Sequence, residues 1–549
     1  MASVDPVFAE VTAAGTPFEI GERGGIRYFS RAPDDLALLI ESARRHGDAT
    51  FLVEQDDFGQ ERRLSYAQTF DWRDRMASRL GIRRGDRVAI CMRNRAEWMI
   101  AFLAVIRLGG VAVLLNSRGA PAELAAMIED AEPALVLADA ERAALIRESG
   151  CPVPVLDALQ PDDLGEAGEL PEIGGANADD PCAILFTSGT TGRVKGAVLS
   201  HRSLITGLLG TQLTGMMVLH NMARNYGVSV ESIMAQVPPQ ATLLVYPLFH
   251  ISGLGSAFLA PLLSGAKIVI MRRWDAAEAV RIIAREKITM LTSVPTMLWD
   301  MIRHAQQGEM DLSSLRNIGS GGQALPLNLL DEVRALCPHA MIGVGYGMTE
   351  TSGAIAQAVG ADFLNNPAAA GRVLPLIDLR IAGADGQATQ TGESGEIQVR
   401  GAMVMSQYWN RPEENAKAFT EDGWLRTGDV GRLDEDGYLF IVDRMKDMVI
   451  SGGENIYCAE VERVLGEMPQ IVECATFGIP DERLGEQLVA IVVGRDVDER
   501  AVTDWVVERL ARYKAPGRVV VIPDPLPRNH LDKIDKIALR ALWPELARI

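Results

Sequence analysis

The sequence predicts an α/β fold. A large N-terminal domain of helix-covered, mostly parallel sheets carries a small β-subdomain, and a small α+β C-terminal domain follows it. Three observations lead there. Short apolar runs alternate with longer helical patterns through the first two-thirds of the chain, the rhythm of parallel strands joined by crossover helices. Beyond residue 380 the strand-like pieces crowd together, separated by turns rich in Gly and Asp. The length of 549 residues exceeds what one hydrophobic core supports, so at least two domains are expected.

In order, RVAICM (87–92) reads as a strand and Ala96 to Leu108 as an amphipathic helix. VAVLLN (111–116) is a second strand, followed by a helix opened by Pro121 and by the strand ALVLAD (134–139). The rhythm resumes with AILFT (183–187), LLVYPL (243–248), KIVIM (267–271) and ITMLTSV (288–294). The most apolar long stretch, Leu243 to Met271, is broken by Pro247, His250, Pro261 and Lys267. Two buried strands around a helix account for it better than a membrane span. EIQVRG (396–401) and GYLFIVD (437–443) belong to the β-subdomain, and the domains divide as 1–444 and 445–549. In the second of these, VVERLARYK (506–514) reads as a helix and RVVVI (518–522) as a strand.

The formal charge of −19 excludes a broad nucleic-acid surface, because neutralising phosphates takes a basic face. A small anionic substrate could bind only through a local cluster of donors. Cys91, Cys151, Cys182, Cys337, Cys458 and Cys474 form no C-x-x-C pair, which points to a reduced, cytoplasmic protein without a zinc site or a disulfide framework. The opening MASVDPVFAE lacks the basic start and apolar run of a secretion signal.

The sharpest local signal is AILFTSGTTGRVKGAVLSH, residues 183–201. A strand ends at Thr187 and gives way to Ser188, Gly189, Thr190, Thr191 and Gly192, with Lys195 close behind. Glycines let backbone approach a phosphate, hydroxyl and amide groups donate without adding charge, and the lysine supplies a compact cation. The spacing is not that of a P-loop, since Lys195 is followed by Gly196. Taken alone, S-G-T-T-G is as readily a surface turn.

The full string resembles the signature loop of the adenylate-forming superfamily, which comprises acyl-CoA synthetases, aryl-CoA ligases, luciferases and peptide-synthetase adenylation domains. Four further strings resemble that superfamily's motifs in its order: YGMTET (346–351), GWLRTGDVG (423–431), DRMKDMVISGGENIYCAEVE (443–462) and PRNHLDKIDK (527–536). The chain looks most like an acyl-CoA synthetase.

The resemblance implies a role for each matching residue. Thr187, Ser188, Gly189, Thr190, Thr191 and Lys195 would hold the β- and γ-phosphates of ATP. Tyr346 would stack on adenine, with Gly321 and Gly322 of GSGGQALP (319–326) passing near it. Thr349 would donate to the α-phosphate, Glu350 would bind Mg²⁺, Asp429 would hold the ribose, and Arg444 would add a second ribose or phosphate contact. Lys533 would be the catalyst of adenylation. Asp532 stands where the family has glycine, and Lys536 lies close enough to be mistaken for that lysine. Lys446 would be the hinge about which a mobile C-terminal domain turns, and Gly452 and Gly453 would pass the pantetheine arm of coenzyme A. His250 would sit at the acyl site. The segment around it holds no Asp or Glu, which argues against an amino acid and for an apolar one: a fatty, aromatic or alicyclic acid.

The implied reaction is AMP-forming ligation of a carboxylic acid to coenzyme A. Transfer to a carrier-protein thiol or another nucleophile is the alternative within that chemistry, and a homodimer is compatible with it. Two readings from other classes are weaker. GSGGQA fits a dinucleotide fingerprint, but no acid lies between Arg334 and Thr349 to take the ribose. A non-catalytic nucleotide-binding protein would have no need of Glu350 and Lys533 together.

Overall fold

The computed structural model describes residues 6–55, 59–157, 160–187, 194–308, 311–321, 325, 327–445, 447–451, 454–494, 497–528 and 534–548. Two large sheets enclose the main core. In the seven-stranded sheet the parallel strands run in the order Pro181–Thr187, Val111–Leu114, Arg87–Cys91, Leu135–Ala138 and Val155–Asp157. Lys195–Ser200 and Gln407–Tyr408 add antiparallel to its other edge. In the thirteen-stranded sheet Thr50–Gln55, Lys267–Ile270, Ala241–Leu244, Met290–Ser293, Asn317–Gly321 and Met341–Met348 are parallel neighbours. Beyond Met341–Met348 the sheet continues antiparallel through Gly353–Val359, Gly371–Val373, Tyr438–Arg444, Leu425–Leu433, Gly395–Gly401 and Ile377–Ala382, which form the β-subdomain.

Alternate residues along each strand feed different cores, as the period of two requires. Leu244 packs between the sheets, while Leu243 packs outward against the helices Ala276–Glu286, Pro295–Gly308 and Leu327–Leu336. Ile90 likewise faces inward and Ala89 faces the helix Pro121–Ala131.

The helix Ala96–Arg107 departs from the expected amphipathic pattern: every residue from Ala96 to Ile106 is buried. It lies between the two sheets and has no solvent face, the situation in which a helix is apolar all round. Arg95 makes no side-chain cap there. The Glu54 carboxylate, from the neighbouring strand, accepts from Ala96 N–H at 3.0 Å and stabilises the helix's positive end. The helix expected over 506–514 also shifts. It runs Glu499–Arg509, started by the Asp498 carboxylate on Arg500 N–H, and a separate 3₁₀ turn covers Arg512–Lys514.

The C-terminal domain has its own sheet of five strands, Glu454–Ile456, Val449–Ser451, Gly485–Gly494, Ile471–Asp481 and Arg518–Ile522. Leu488, Ala490 and Val492 face the helices Cys458–Gly466 and Glu499–Arg509. Val489, Ile491 and Val493 face Leu539 and Trp543 of the final helix, Lys536–Leu546. Among the described residues no helix is long and apolar enough to cross a membrane.

Candidate active site

The strands Asn317–Gly321 and Met341–Met348 end side by side in the parallel part of the large sheet, and carboxyl ends of parallel strands are where α/β sheets bind ligands. Gly321 and Gly345 are partners in register there. A Cβ at Gly321 would meet nothing nearer than the Tyr246 hydroxyl at 3.8 Å, and one at Gly345 nothing nearer than Ala356 O at 3.8 Å. The two strand ends thus leave a flat, uncrowded backbone surface of the kind a purine ring requires.

Beside it, three strands bring Tyr346, Asp429 and Arg444 together. The Tyr346 hydroxyl donates to Asp429 Oδ2 at 2.7 Å, and Arg444 Nε lies 3.4 Å from Oδ1 of the same carboxylate. Asp429 and Arg444 are register partners, so the ion pair is set by strand alignment. Burial, and then the Asp429 charge, push the Tyr346 phenol well above its usual range and keep it a donor.

Glu350 lies in the 3₁₀ turn Thr349–Thr351 directly after the strand. The turn folds back tightly. A Cβ at residue 347 would stand 2.1 Å from Gly353 O, so only glycine fits. Glu350 is 5% exposed. Its Oε1 accepts from the Tyr408 hydroxyl at 2.8 Å and from Thr187 Oγ1 at 3.4 Å, and Oε2 takes neither bond. Burial raises the carboxyl's pKa, and the Tyr408 and Thr187 hydrogen bonds work against that rise. No group of three or more His, Cys, Asp or Glu side chains able to hold a metal occurs among the described residues. One buried carboxylate with an oxygen outside the Tyr408 and Thr187 hydrogen bonds fits Mg²⁺, which keeps water and substrate phosphate oxygens as most of its ligands. Thr349 is half-buried beside it. Lys195 opens the strand Lys195–Ser200. Its ammonium pairs with Glu414 and lies 5.3 Å from the centre of the Tyr408 ring.

A second stretch, with its Tyr246 hydroxyl 3.5 Å from Gly321 O, grows from the strand Ala241–Leu244. Asn94 holds the chain beyond it, donating to Tyr246 O at 2.9 Å and accepting from Leu248 N–H at 3.0 Å. His250 follows, half-buried against Phe249 with ring centroids 4.4 Å apart. The chain then winds as a π-helix, Ser252–Leu259, closed by Ala260 N–H on Gly255 O. Gly253 permits this wide turn, since a Cβ there would stand 2.1 Å from Pro247 O. Phe258 anchors the π-helix edge-on to Trp98 and Phe102 of the buried helix, at 6.3 and 6.0 Å.

A family model described as AMP-binding enzyme matches residues 39–409, and one described as AMP-binding enzyme C-terminal domain matches residues 460–533. The chain belongs to the AMP-binding enzyme family. The long-chain-fatty-acid–CoA ligase FadD13 of Mycobacterium tuberculosis is 34% identical over 494 residues, covering 87% of this chain and 93% of that protein. The indoleacetate–CoA ligase of Aromatoleum aromaticum is 37% identical over 504 residues, covering 88% and 94%. Among solved structures, the O-succinylbenzoate coenzyme A synthetase of Bacillus subtilis with ATP and magnesium ion is 32% identical. It superposes with a TM-score of 0.75 over 91% of this chain and 98% of that one. This member of the family is an AMP-forming acid–CoA ligase that works with ATP, Mg²⁺ and coenzyme A.

Within the AMP-binding enzyme, the structure joins Thr187 to Glu350 and joins Tyr346, Asp429 and Arg444 to one another. His250 stands between the strand Ala241–Leu244 and the π-helix Ser252–Leu259. Ser188, Gly189, Thr190, Thr191, Gly322, Lys446, Gly452, Gly453, Asp532 and Lys533 lie outside the described residues. Arg528 and Ile534 pair across an isolated bridge on either side of Lys533 in sequence. Lys536 is bound into the C-terminal domain, 2.7 Å from Glu462. Burial acts to lower its pKa, and Glu462 and Cys458 outweigh it and raise it. Three residues escaped sequence reasoning: Asn94, Tyr408 and Glu414. Tyr408 stands 58 positions from Glu350 and Glu414 219 from Lys195, so no local spacing announces either contact.

Proposed function

We propose that this enzyme activates an apolar carboxylic acid (fatty, aromatic or alicyclic) as its adenylate and transfers the acyl group to free coenzyme A. The observation that supports the reading is that the strand Met341–Met348 and the turn after it carry Tyr346, bonded to Asp429 beside Arg444, and the buried Glu350, next to the uncrowded backbone at Gly321 and Gly345. That backbone surface takes adenine, with Tyr346 on its face. Asp429 accepts from the ribose hydroxyls and Arg444 holds that carboxylate in place. Thr187, Ser188, Gly189, Thr190, Thr191 and Lys195 surround the β- and γ-phosphates, and Thr349 donates to the α-phosphate. Glu350 holds Mg²⁺, which supplies charge neutralisation at the phosphates.

In the first step an acid carboxylate oxygen attacks the α-phosphorus, and the bond to the bridging oxygen of pyrophosphate breaks. Lys533 stabilises the charge that grows on the phosphoryl group and the leaving pyrophosphate. In the second step the thiolate of coenzyme A attacks the acyl carbonyl and AMP leaves with the electrons of the acyl–oxygen bond. Residues 445–549 form the domain that turns about Lys446 between the steps, bringing first Lys533 and then Gly452 and Gly453 to the cleft.

The wall from His250 through Leu259 supports an apolar acid. It contains no Asp or Glu, and nothing lies within 4 Å of where a Cβ on Gly255 would stand. All six cysteines are free thiols, which supports a cytoplasmic location. The test is pyrophosphate release from ATP and Mg²⁺ across fatty, benzoic, cinnamic and alicyclic acids, with and without coenzyme A. Release confined to one class and accelerated by coenzyme A, with acyl-CoA as product, is expected. Equal release with amino acids, or none with any apolar acid, overturns the reading.

A further inference from the structure

The segment Met405–Trp409 belongs to none of the five motifs, yet it is bonded to two of them. Met405 N–H donates to Glu350 O at 2.7 Å, Ser406 N–H to Val198 O at 3.1 Å and Trp409 N–H to Gly196 O at 2.7 Å. It therefore ties the Glu350 turn to the strand that leaves the phosphate loop. Tyr408 stands in the middle, paired in register with Ala197. Asn415 fixes its backbone from both sides, accepting from Tyr408 N–H at 2.6 Å and donating to Tyr408 O at 3.0 Å. From that fixed point its hydroxyl reaches Glu350 Oε1 at 2.8 Å, and its ring lies 5.3 Å from the Lys195 ammonium. One side chain, 9% exposed, thus touches both the carboxylate and the lysine.

We propose that Tyr408 is a positioning residue for adenylation: its hydroxyl turns Glu350 so that Oε2 is presented to the metal, and its ring holds Lys195 at the phosphate loop. The hydroxyl occupies Oε1 and so removes the carboxylate's freedom to rotate about its last torsion. The ring face attracts the ammonium without neutralising it, unlike Glu414, which competes with phosphate for the same cation. The proposal rests on the reading of Glu350 as the Mg²⁺ carboxylate.

The test measures, with free Mg²⁺ varied, both ATP binding by calorimetry in the absence of acid and acid-dependent pyrophosphate release at fixed ATP. Tyr408→Phe keeps the ring and loses the hydroxyl. Its half-saturating Mg²⁺ should rise about 10–100-fold, the usual cost of losing a group that orients a metal ligand, with a smaller change in the KM for ATP. Tyr408→Leu should add a rise in the KM for ATP by releasing Lys195. Asn415→Ala, which loosens the backbone clamp alone, should shift the Mg²⁺ dependence in the same direction, and it serves if the Tyr408 variants do not fold. Glu350→Gln separates the two readings. If it shifts Mg²⁺ dependence and Tyr408→Phe adds nothing in that background, the proposal stands. If Glu350→Gln shifts it while Tyr408→Phe and Asn415→Ala lower only turnover or melting temperature, Tyr408 merely satisfies a buried acid and the proposal falls. If Glu350→Gln leaves Mg²⁺ dependence unmoved, the metal reading itself fails and the proposal with it.

Discussion

The two walls proposed for the active site, one for the nucleotide and one for the acyl group, are built on different plans. The nucleotide wall gathers single polar side chains from separate strands, and each is held by a named partner: Tyr346 on Asp429, Asp429 beside Arg444, Glu350 under Tyr408 and Thr187. The acyl wall is one continuous stretch from Tyr246 to Leu259, held from behind by Asn94 and by the packing of Phe258. ATP presents a fixed set of charges and hydroxyls, so its wall needs particular atoms at particular places. An apolar acid asks chiefly for volume and dryness, which many side-chain combinations supply. Substitutions in the first wall should therefore slow every acid alike, and substitutions in the second should reorder the acids.

The largest effect is expected at Lys533. Lys533→Ala should reduce pyrophosphate release about 10²–10³-fold with every acid, while thioester formation from supplied acyl-adenylate and coenzyme A persists. Loss of both half-reactions would mean that the lysine is not specific to the first. Asp429→Asn should raise the KM for ATP about tenfold or more, as for a lost hydrogen bond to a charged group, and leave the ranking of acids untouched. A changed ranking would break the distinction between the walls.

Gly255→Leu probes the other side. Filling the open space beside the π-helix should lower kcat/KM for the bulkiest accepted acid about tenfold, the scale of a misfit in an apolar pocket, with the smallest acid and the KM for ATP little affected. An equal loss on all acids would place Gly255 outside the pocket.

The smallest effect is expected at Asp443, next to Arg444 but turned toward the C-terminal domain. It accepts from Ala459 N–H at 3.3 Å. Burial pushes its carboxyl up to about 6; hydrogen bonds from Arg444 and Ala459 N–H and the Lys536 charge pull it down, and Glu462 adds to the rise. A folded-state pKa above the ordinary 3.8 means that the folded protein holds this proton more tightly. That contribution to stability is complete below the unfolded pKa and is lost as pH rises through about 6. Between those values the wild type should lose a few degrees of melting temperature relative to Asp443→Asn. Parallel melting curves from pH 4 to 7 would contradict this.

Sequence reasoning reached the two walls unequally, for the same physical reason. The strands and their order along the chain were legible in the apolar rhythm, and Tyr346, Glu350 and Asp429 drew attention because their strings resemble the family's motifs. The burial of Ala96–Ile106 was not, since an apolar helix with scattered polar ends reads as amphipathic until the second sheet that covers it is known. The return of Lys195–Ser200 antiparallel to Pro181–Thr187 was hidden by the parallel rhythm around it. Tyr408, Glu414 and Asn94 were invisible because each acts across a long sequence separation. The π-winding of Ser252–Leu259 had only its two glycines to announce it, and paired glycines are more often turn formers.

The central claim, activation through an adenylate, is tested most directly by isotope transfer. The enzyme would turn over ATP, Mg²⁺ and coenzyme A with an accepted acid labelled with ¹⁸O at both carboxylate oxygens, and AMP would be analysed by mass spectrometry. Attack of the carboxylate on the α-phosphorus predicts one ¹⁸O in each AMP released and none in pyrophosphate. Unlabelled AMP, or label in inorganic phosphate alongside ADP, would contradict it.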